Sequence, residues 1–314
     1  HDLCRRQRQM CIRDRIRSQY SDFFQMIKKP EICKELTLQP LHRFPLDAAI
    51  TFTDILTIPD AMGVPVEFIS GKGPVFADSI CKNEELRLNS KGALKKLEYV
   101  FEATSLIKAS IDVPLIGFTG SPWTLFVYLY YGESPKNHDE LNSFLKLKSQ
   151  NTHSYLEQLT ETTKDYVHAQ IEAGADCIQI FDSWGGLLDE KYQELSLNYI
   201  NQIAASVQVD IPIILYTRDK LIDNIIDLTP IKCFNLDTLD NIDNHISKCI
   251  TIQGNFNPQN FHADEEELKK MAELVYMKYK NKENYIFNLG SGLTPDINPE
   301  KVGYFLSQLS SFGS

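Results

Sequence analysis

Short runs of apolar and β-branched residues recur along this chain, each separated from the next by a longer amphipathic stretch. That alternation limits the fold more than any single residue does. The runs are Asp47 to Phe52, Val113 to Phe118, Ala175 to Phe181, Ile211 to Tyr216, Cys233 to Leu236, Ile250 to Gly254 and Tyr285 to Leu289. A strand that is apolar almost throughout has both faces covered, the condition of a parallel sheet flanked by helices. The intervening stretches carry helical spacing: Leu94, Leu97, Val100, Phe101 and Ile107 share one stripe between Leu94 and Ile111. Tyr155, Leu156, Leu159, Tyr166, Val167 and Ile171 share another. Gly174 stops that second helix just ahead of the strand at Ala175, and Asp264 with Glu267 has capping-box spacing before Leu268, Met271 and Leu274. With a less regular run around Val64 to Ser70 the strands number eight. The expected fold is therefore α/β, a single-domain TIM (β/α)8 barrel, with a doubly wound open sheet as the alternative.

At 314 residues and 43% hydrophobic content, the chain can bury a barrel core as one unit. Its net charge of −10 argues against a dedicated nucleic-acid binder, which needs a concentrated basic surface. No apolar run approaches the roughly 20 residues that cross a bilayer. Seven scattered cysteines without a CxxC pair fit reduced thiols, and hence a cytoplasmic setting, better than disulfides or a zinc site. Basic residues concentrate only at the start, where Arg5, Arg6, Arg8, Arg13, Arg15 and Arg17 crowd the first seventeen positions. A targeting peptide would show an amphipathic apolar face and serines that this stretch lacks, and a solvated basic tail is a second reading. We read residues 1–14 as a foreign or disordered segment and 15–314 as the barrel.

In such a barrel, chemistry collects at the C-terminal ends of the strands. Polar residues stand there in this sequence: Asp54, then Thr119 and Ser121, Asp182 and Ser183, Thr217, Arg218 and Asp219, Asp237, Asn255, and Asn288 with Ser291. Helix caps and loops favour such residues anyway, so each alone is weak, while a ring of them is harder to ascribe to capping. The chain has no GxGxxG after a strand, no phosphate-binding GxxxxGK[ST] loop and no GxSxG elbow, and no histidine lies four residues from another. Side chains would then act on a substrate that brings its own reactivity.

Longer runs carry a resemblance. Glu35-Leu36-Thr37-Leu38-Gln39-Pro40, Arg43-Phe44, Asp47 through Leu56, Ile58 through Gly63 and Gly71 through Pro74 resemble the uroporphyrinogen decarboxylase family. So do Pro114 through Leu125, Gln179 through Ser183, Gln253-Gly254-Asn255 with Pro258, and Asn288-Leu289-Gly290 with Gly292 and Pro295. The matches run in order from about Arg15 to the C-terminus. The resemblance implies decarboxylation of the four acetate arms of uroporphyrinogen to give coproporphyrinogen, without metal or organic cofactor, by a homodimer whose active-site mouths face one another. It implies that the carboxylate of Asp54 meets the pyrrole N–H groups and the positive charge that develops on the ring. It further implies substrate contacts from Tyr128, Ser183, Ser291 and Arg17.

Two departures stand out. Ser291 occupies a place where the family usually has histidine, and the family's opening Arg-Gln-Ala-Gly-Arg-Tyr motif has no counterpart, Arg6-Gln7-Arg8 included. The resemblance therefore implies that this chain folds but decarboxylates weakly as it stands. Two other readings are a zinc-dependent corrinoid or thiol methyltransferase of the same superfamily, whose His-x-Cys spacing His245 and Cys249 do not meet, and a catalytically inactive tetrapyrrole-binding barrel.

Overall fold

A computed structural model describes residues 23–69, 72–135, 149–208, 210–218, 225–237, 250–294 and 296–312. Its central sheet has seven parallel strands: β1 (Ala49–Ile50), β4 (Leu115–Gly120), β5 (Cys177–Asp182), β6 (Ile213–Thr217), β7 (Cys233–Asn235), β8 (Thr251–Gln253) and β9 (Tyr285–Ile286). Each lies within one of the seven apolar runs or within two residues of it. Neighbours in the sheet follow strict chain order, β1-β4-β5-β6-β7-β8-β9, and every pairing is parallel. A doubly wound sheet reverses its order at a switch point, and this sheet never does. The fold is a single-domain α/β barrel of the TIM type.

The run from Val64 to Ser70 does not supply a barrel strand, contrary to expectation. Val66–Ile69 (β2) pairs antiparallel with Gly73–Phe76 (β3) as a separate hairpin, with Ile69 opposite Gly73. The physical reason is legible afterwards: Val66 is buried but Glu67, Phe68 and Ile69 are exposed, so the segment cannot sit between two helical layers. Gly73, at φ +89°, accepts the left-handed backbone at the end of the reversal.

Helices cover the sheet where the stripes place them. The helix Ser149–Glu172 buries Leu156, Leu159, Tyr166 and Val167 against the strands, and Gly174 ends the turn behind it at φ +110°. The stretch from Leu94 is two helices rather than one, Ala93–Lys96 and Glu98–Lys108, which meet at the fully buried Leu97; Leu94 itself faces out. The oxygen of Asp264 accepts the Glu267 N–H at 2.9 Å and caps Glu265–Tyr279. Leu268 is buried there, whereas Leu274 is 69% exposed and leaves the expected stripe. Leu268, Met271, Ala272 and Val275 pack into the cluster shared with Pro299–Ser311, and Leu274 points away from it.

Candidate functional site

Asp54 follows β1 by four residues, on the C-terminal rim of the barrel. Its Oδ1 accepts the Leu56 N–H at 2.8 Å and its carbonyl oxygen accepts the Thr57 hydroxyl at 2.8 Å, which fixes the side chain at the start of the short helix Thr57–Ala61. Capping is a sufficient structural use for such an aspartate. What distinguishes it is the energy of its charge: burial drives its pKa from 3.8 up to about 6, despite the opposing hydrogen bond from Leu56. A half-buried carboxylate that is ionised at neutral pH but poorly solvated gains much from any cation or N–H donor placed before it.

Tyr128 lies on the helix Pro122–Tyr131, which starts directly after β4. Burial raises its pKa first; hydrogen bonding with Trp184 and Ser134 opposes, the charge of Asp54 raises it further and that of Arg218 lowers it. The phenol thus senses both the carboxylate from the first strand and the guanidinium beyond the sixth. Its ring packs edge-on against Trp184, 6.0 Å between centroids at 70°.

The helix that carries Tyr128 is aimed by a buried clip. Ser121 caps it, accepting the Thr124 N–H at 3.0 Å, and donates its own hydroxyl to Asp182 Oδ1 at 2.6 Å. The second carboxylate oxygen of Asp182 accepts from Ser196 at 3.0 Å. Asp182 is wholly buried, and burial raises its pKa against those hydroxyl donors. Gly185 passes so close that a Cβ there would collide with this carboxylate, which is why the turn after β5 carries glycine. Asp182 therefore ties the ends of β4 and β5 together. It is a structural anchor, and the sequence offered no sign separating it from Asp54.

Ser183 and Trp184 come next in the chain. Ser183 is half-buried at the β5 end of the rim, one residue beyond the clip. The backbone of Trp184 is held at both ends: its carbonyl accepts the Trp123 indole N–H at 2.8 Å, and its N–H reaches the Thr124 hydroxyl at 3.3 Å. Sequence reasoning passed over Trp184; its position directly after Ser183, in a chain with only two tryptophans, was the available signal. Ser291 is exposed, two residues past the point where Phe256 bridges Leu289, on the same C-terminal rim. Arg17 lies outside the described residues, as do residues 1–14, Asp219, His245 and Cys249.

Below the rim, the barrel interior is lined by amides that the sequence did not single out. Gln179, Asn235 and Gln253, all buried, exchange hydrogen bonds: Gln179 Nε2 and Gln253 Nε2 each donate to Asn235 Oδ1 at 3.0 Å. Among the described residues, no three His, Cys, Asp or Glu side chains group so as to hold a metal ion, and no helix is long and apolar enough to cross a membrane.

The sequence matches the family described as uroporphyrinogen decarboxylase (URO-D) over residues 3–312. A protein named uroporphyrinogen decarboxylase from Francisella philomiragia is 38% identical over 95% of this chain and 90% of its own length. Another with that name, from Hydrogenovibrio crunogenus, is 36% identical over 94% and 87%. Among solved structures, a methyltransferase from Methanosarcina mazei superposes with a TM-score of 0.73 at 17% identity, covering 94% of this chain and 89% of that one. At that identity the likeness is one of fold.

Proposed function

Since the chain belongs to the uroporphyrinogen decarboxylase family, we propose that it removes the carboxyl groups from the four acetate arms of uroporphyrinogen, leaving the methyls of coproporphyrinogen. The observation that carries this reading is Asp54: a poorly solvated carboxylate at the barrel rim whose charge acts on the Tyr128 phenol. Protonation of a pyrrole carbon makes the ring cationic, and that cation accepts the electron pair released as carbon dioxide leaves. A second proton then completes the methyl group and the first leaves the ring carbon, which restores the aromatic pyrrole, so each arm consumes one proton net. The substrate supplies its own electron sink, so the chemistry asks of the protein only binding, proton delivery and stabilisation of positive charge.

Asp54 would meet those needs at the ring centre, accepting pyrrole N–H groups and facing the growing charge. Charge-assisted hydrogen bonds contribute about 1.5–3 kcal/mol each, and only the part that strengthens in the transition state speeds the reaction. Tyr128, Ser183, Ser291 and Arg17 are proposed as contacts to the substrate arms. Ser291 offers a neutral hydroxyl in place of an imidazole, a weaker donor to a carboxylate. We read the protein as a cytoplasmic homodimer; sedimentation giving twice the chain mass would support the pairing, and a fully active monomer would remove it.

The test is turnover of uroporphyrinogen with chromatographic counting of carboxyls on the product. It is run on this chain and on one whose residues 1–14 are replaced by an Arg-Gln-Ala-Gly-Arg-Tyr-bearing segment, each with and without Asp54→Asn. The replaced chain is expected to be the more active. Asp54→Asn is expected to lower its turnover by about a hundredfold or more while product binding changes little. Unchanged turnover in that variant would remove Asp54 from the chemistry. Porphyrin binding without loss of any carboxyl, in both backgrounds, would favour an inactive binding barrel.

A further inference from the structure

A substrate with eight carboxylates poses an electrostatic problem for a chain of net charge −10. Concentrated positive charge must stand where the arms land. The described rim is poor in it. After β1 come Thr51 to Asp54, after β4 Ser121 and Pro122, after β5 Ser183 and Trp184, after β7 Leu236 and Asp237, after β8 Gly254 and Asn255, and after β9 Phe287 to Ser291. Among these described strand ends, a single cation occurs, Arg218, directly after β6.

Its setting is built rather than incidental. The guanidinium carbon lies 5.7 Å from the ring centroid of Trp184, over the aromatic face. Trp184 is in turn packed edge-on against Tyr128 and pinned through its backbone by Trp123 and Thr124. Three side chains from three different strand ends therefore form one continuous row, Tyr128, Trp184 and Arg218. An arginine held by its face keeps its five N–H donors in the plane of the guanidinium, a geometry suited to a bidentate grip on a carboxylate. The charges of Arg218 and Asp54 both act on the Tyr128 phenol, and Asp54, Trp184 and Arg218 all follow strands at the same C-terminal rim.

We infer that Arg218, positioned by Trp184, is a binding residue for a carboxylate arm of the substrate, on the side of the site away from Asp54's helix. The assignment rests on the proposed decarboxylase reading and deepens it. Arg218 touches substrate; Trp184 acts through it as a positioning residue. The row gives specificity as well as affinity. A tetrapyrrole with eight carboxylates engages it more strongly than one with four, so the pair favours early substrate over finished product and assists release.

Fluorescence titration of the intact chain with uroporphyrin, the stable oxidised octacarboxylate, and with coproporphyrin, its tetracarboxylate counterpart, tests this without needing turnover. Arg218→Gln is expected to weaken uroporphyrin binding about ten- to a hundredfold and coproporphyrin binding less, and to flatten the dependence on NaCl concentration. Arg218→Lys should keep the salt dependence but recover only part of the affinity, since an ammonium neither stacks nor forks. Trp184→Phe, which keeps an aromatic face, should stay within about threefold of the parent, and Trp184→Leu should fall towards Arg218→Gln. A merely structural role for Trp184 would lower thermal stability in both Trp184 variants without touching the salt dependence. If the parent binds uroporphyrin and Arg218→Gln binds it equally well with an unchanged salt dependence, the assignment of Arg218 is overturned and the decarboxylase reading stands. If the folded parent binds neither porphyrin, even with residues 1–14 replaced by the Arg-Gln-Ala-Gly-Arg-Tyr-bearing segment, the decarboxylase reading falls and takes Arg218 with it.

Discussion

The wall formed by β4, β5 and β6 and the side formed by β8, β9 and β1 use the same parallel pairing with very different strength. On the wall, Ile116 to Gly120 pair in register with Cys177 to Phe181, and Ile178 to Asp182 with Ile213 to Thr217. On the other side, β8 meets β9 through Ile252–Tyr285 and Gln253–Ile286, followed by the isolated Phe256–Leu289 bridge, and β1 meets β4 through Ala49–Leu115 and Ile50–Ile116. Ile178 and Ile180 are fully buried, while Ile50 and Ile286 are 43% and 44% exposed. Burial differs at single positions rather than along whole strands, since Ile252 on β8 is fully buried too. The Asp182 clip, the Tyr128 helix and Trp184 all belong to the strong wall, whereas Asp54 and Ser291 follow the short strands β1 and β9. The molecule thus holds the shape of its site on one side and presents its central carboxylate from the other, where that carboxylate's own loop, through Leu56 and Thr57, must fix it.

The sharpest way to break this comparison is to remove the anchor on each side. Asp182→Ala leaves the buried hydroxyls of Ser121 and Ser196 without their acceptor and should destabilise the fold by about 3–5 kcal/mol in urea titration. Asn288→Ala, which removes a local bond from Oδ1 to the Leu289 N–H near β9, should cost about 1 kcal/mol or less. Equal losses would mean that the two sides are held alike, and that strand pairing is a poor guide to where this barrel is strong.

A smaller effect concerns Asp54 and runs in the opposite direction. Its folded pKa of about 6 lies above the usual 3.8, so the folded state holds this proton more tightly than the unfolded chain does. The resulting penalty is absent below about pH 4, grows between pH 4 and 6, and is complete above pH 6. Two units correspond to about 3 kcal/mol at most, and partial exposure reduces that to about 1–2. Asp54→Asn, whose amide oxygen can still accept the Leu56 N–H, should therefore raise stability by that amount at pH 7.5 and show no gain at pH 4. The parent's turnover should fall as pH drops through about 6, where Asp54 takes up its proton. A variant no more stable than the parent at pH 7.5 would show that Asp54 is well solvated after all, and its leverage in the site would go with it.

Much of this organisation was legible in the chain, for stated physical reasons. All seven barrel strands lie in or within two residues of the apolar runs, because a strand covered on both faces must be apolar along its length. The stripe of Ser149–Glu172 and the Asp264 cap were equally local signals. The less regular run from Val64 to Ser70 is not the eighth barrel strand: Glu67 within it and Gly73 after it suit the exposed hairpin that forms. Within the candidate site, the strand-end rule picked out Asp54, Ser183 and Ser291, which do follow the C-terminal ends of β1, β5 and β9, and the family resemblance singled out Tyr128. It could not separate Asp182, an internal anchor, from Asp54, because the difference is one of surroundings: Asp182 meets hydroxyls from Ser121 and Ser196, which lie 61 and 14 residues away in the chain. The Trp184–Arg218 stack joins two strands and was invisible for the same reason.

The smallest test removes one methyl group from each side of the barrel. Ile180 on β5 is fully buried, and Ile180→Val should cost about 1 kcal/mol, since the neighbouring side chains of a dense wall close only partly over the missing carbon. Ile286 on β9, at 44% exposure, already has water against much of its surface. Ile286→Val should therefore cost no more than about 0.3 kcal/mol, because the methyl it loses made few contacts and leaves no cavity. Both variants keep a β-branched side chain, so strand propensity is unchanged and the difference reads packing alone. Urea titrations at one pH would measure the two losses side by side. A cost at Ile286 as large as that at Ile180 would show that the β9 edge is covered in solution, and the contrast between the two sides would then be a property of the isolated chain rather than of the working protein.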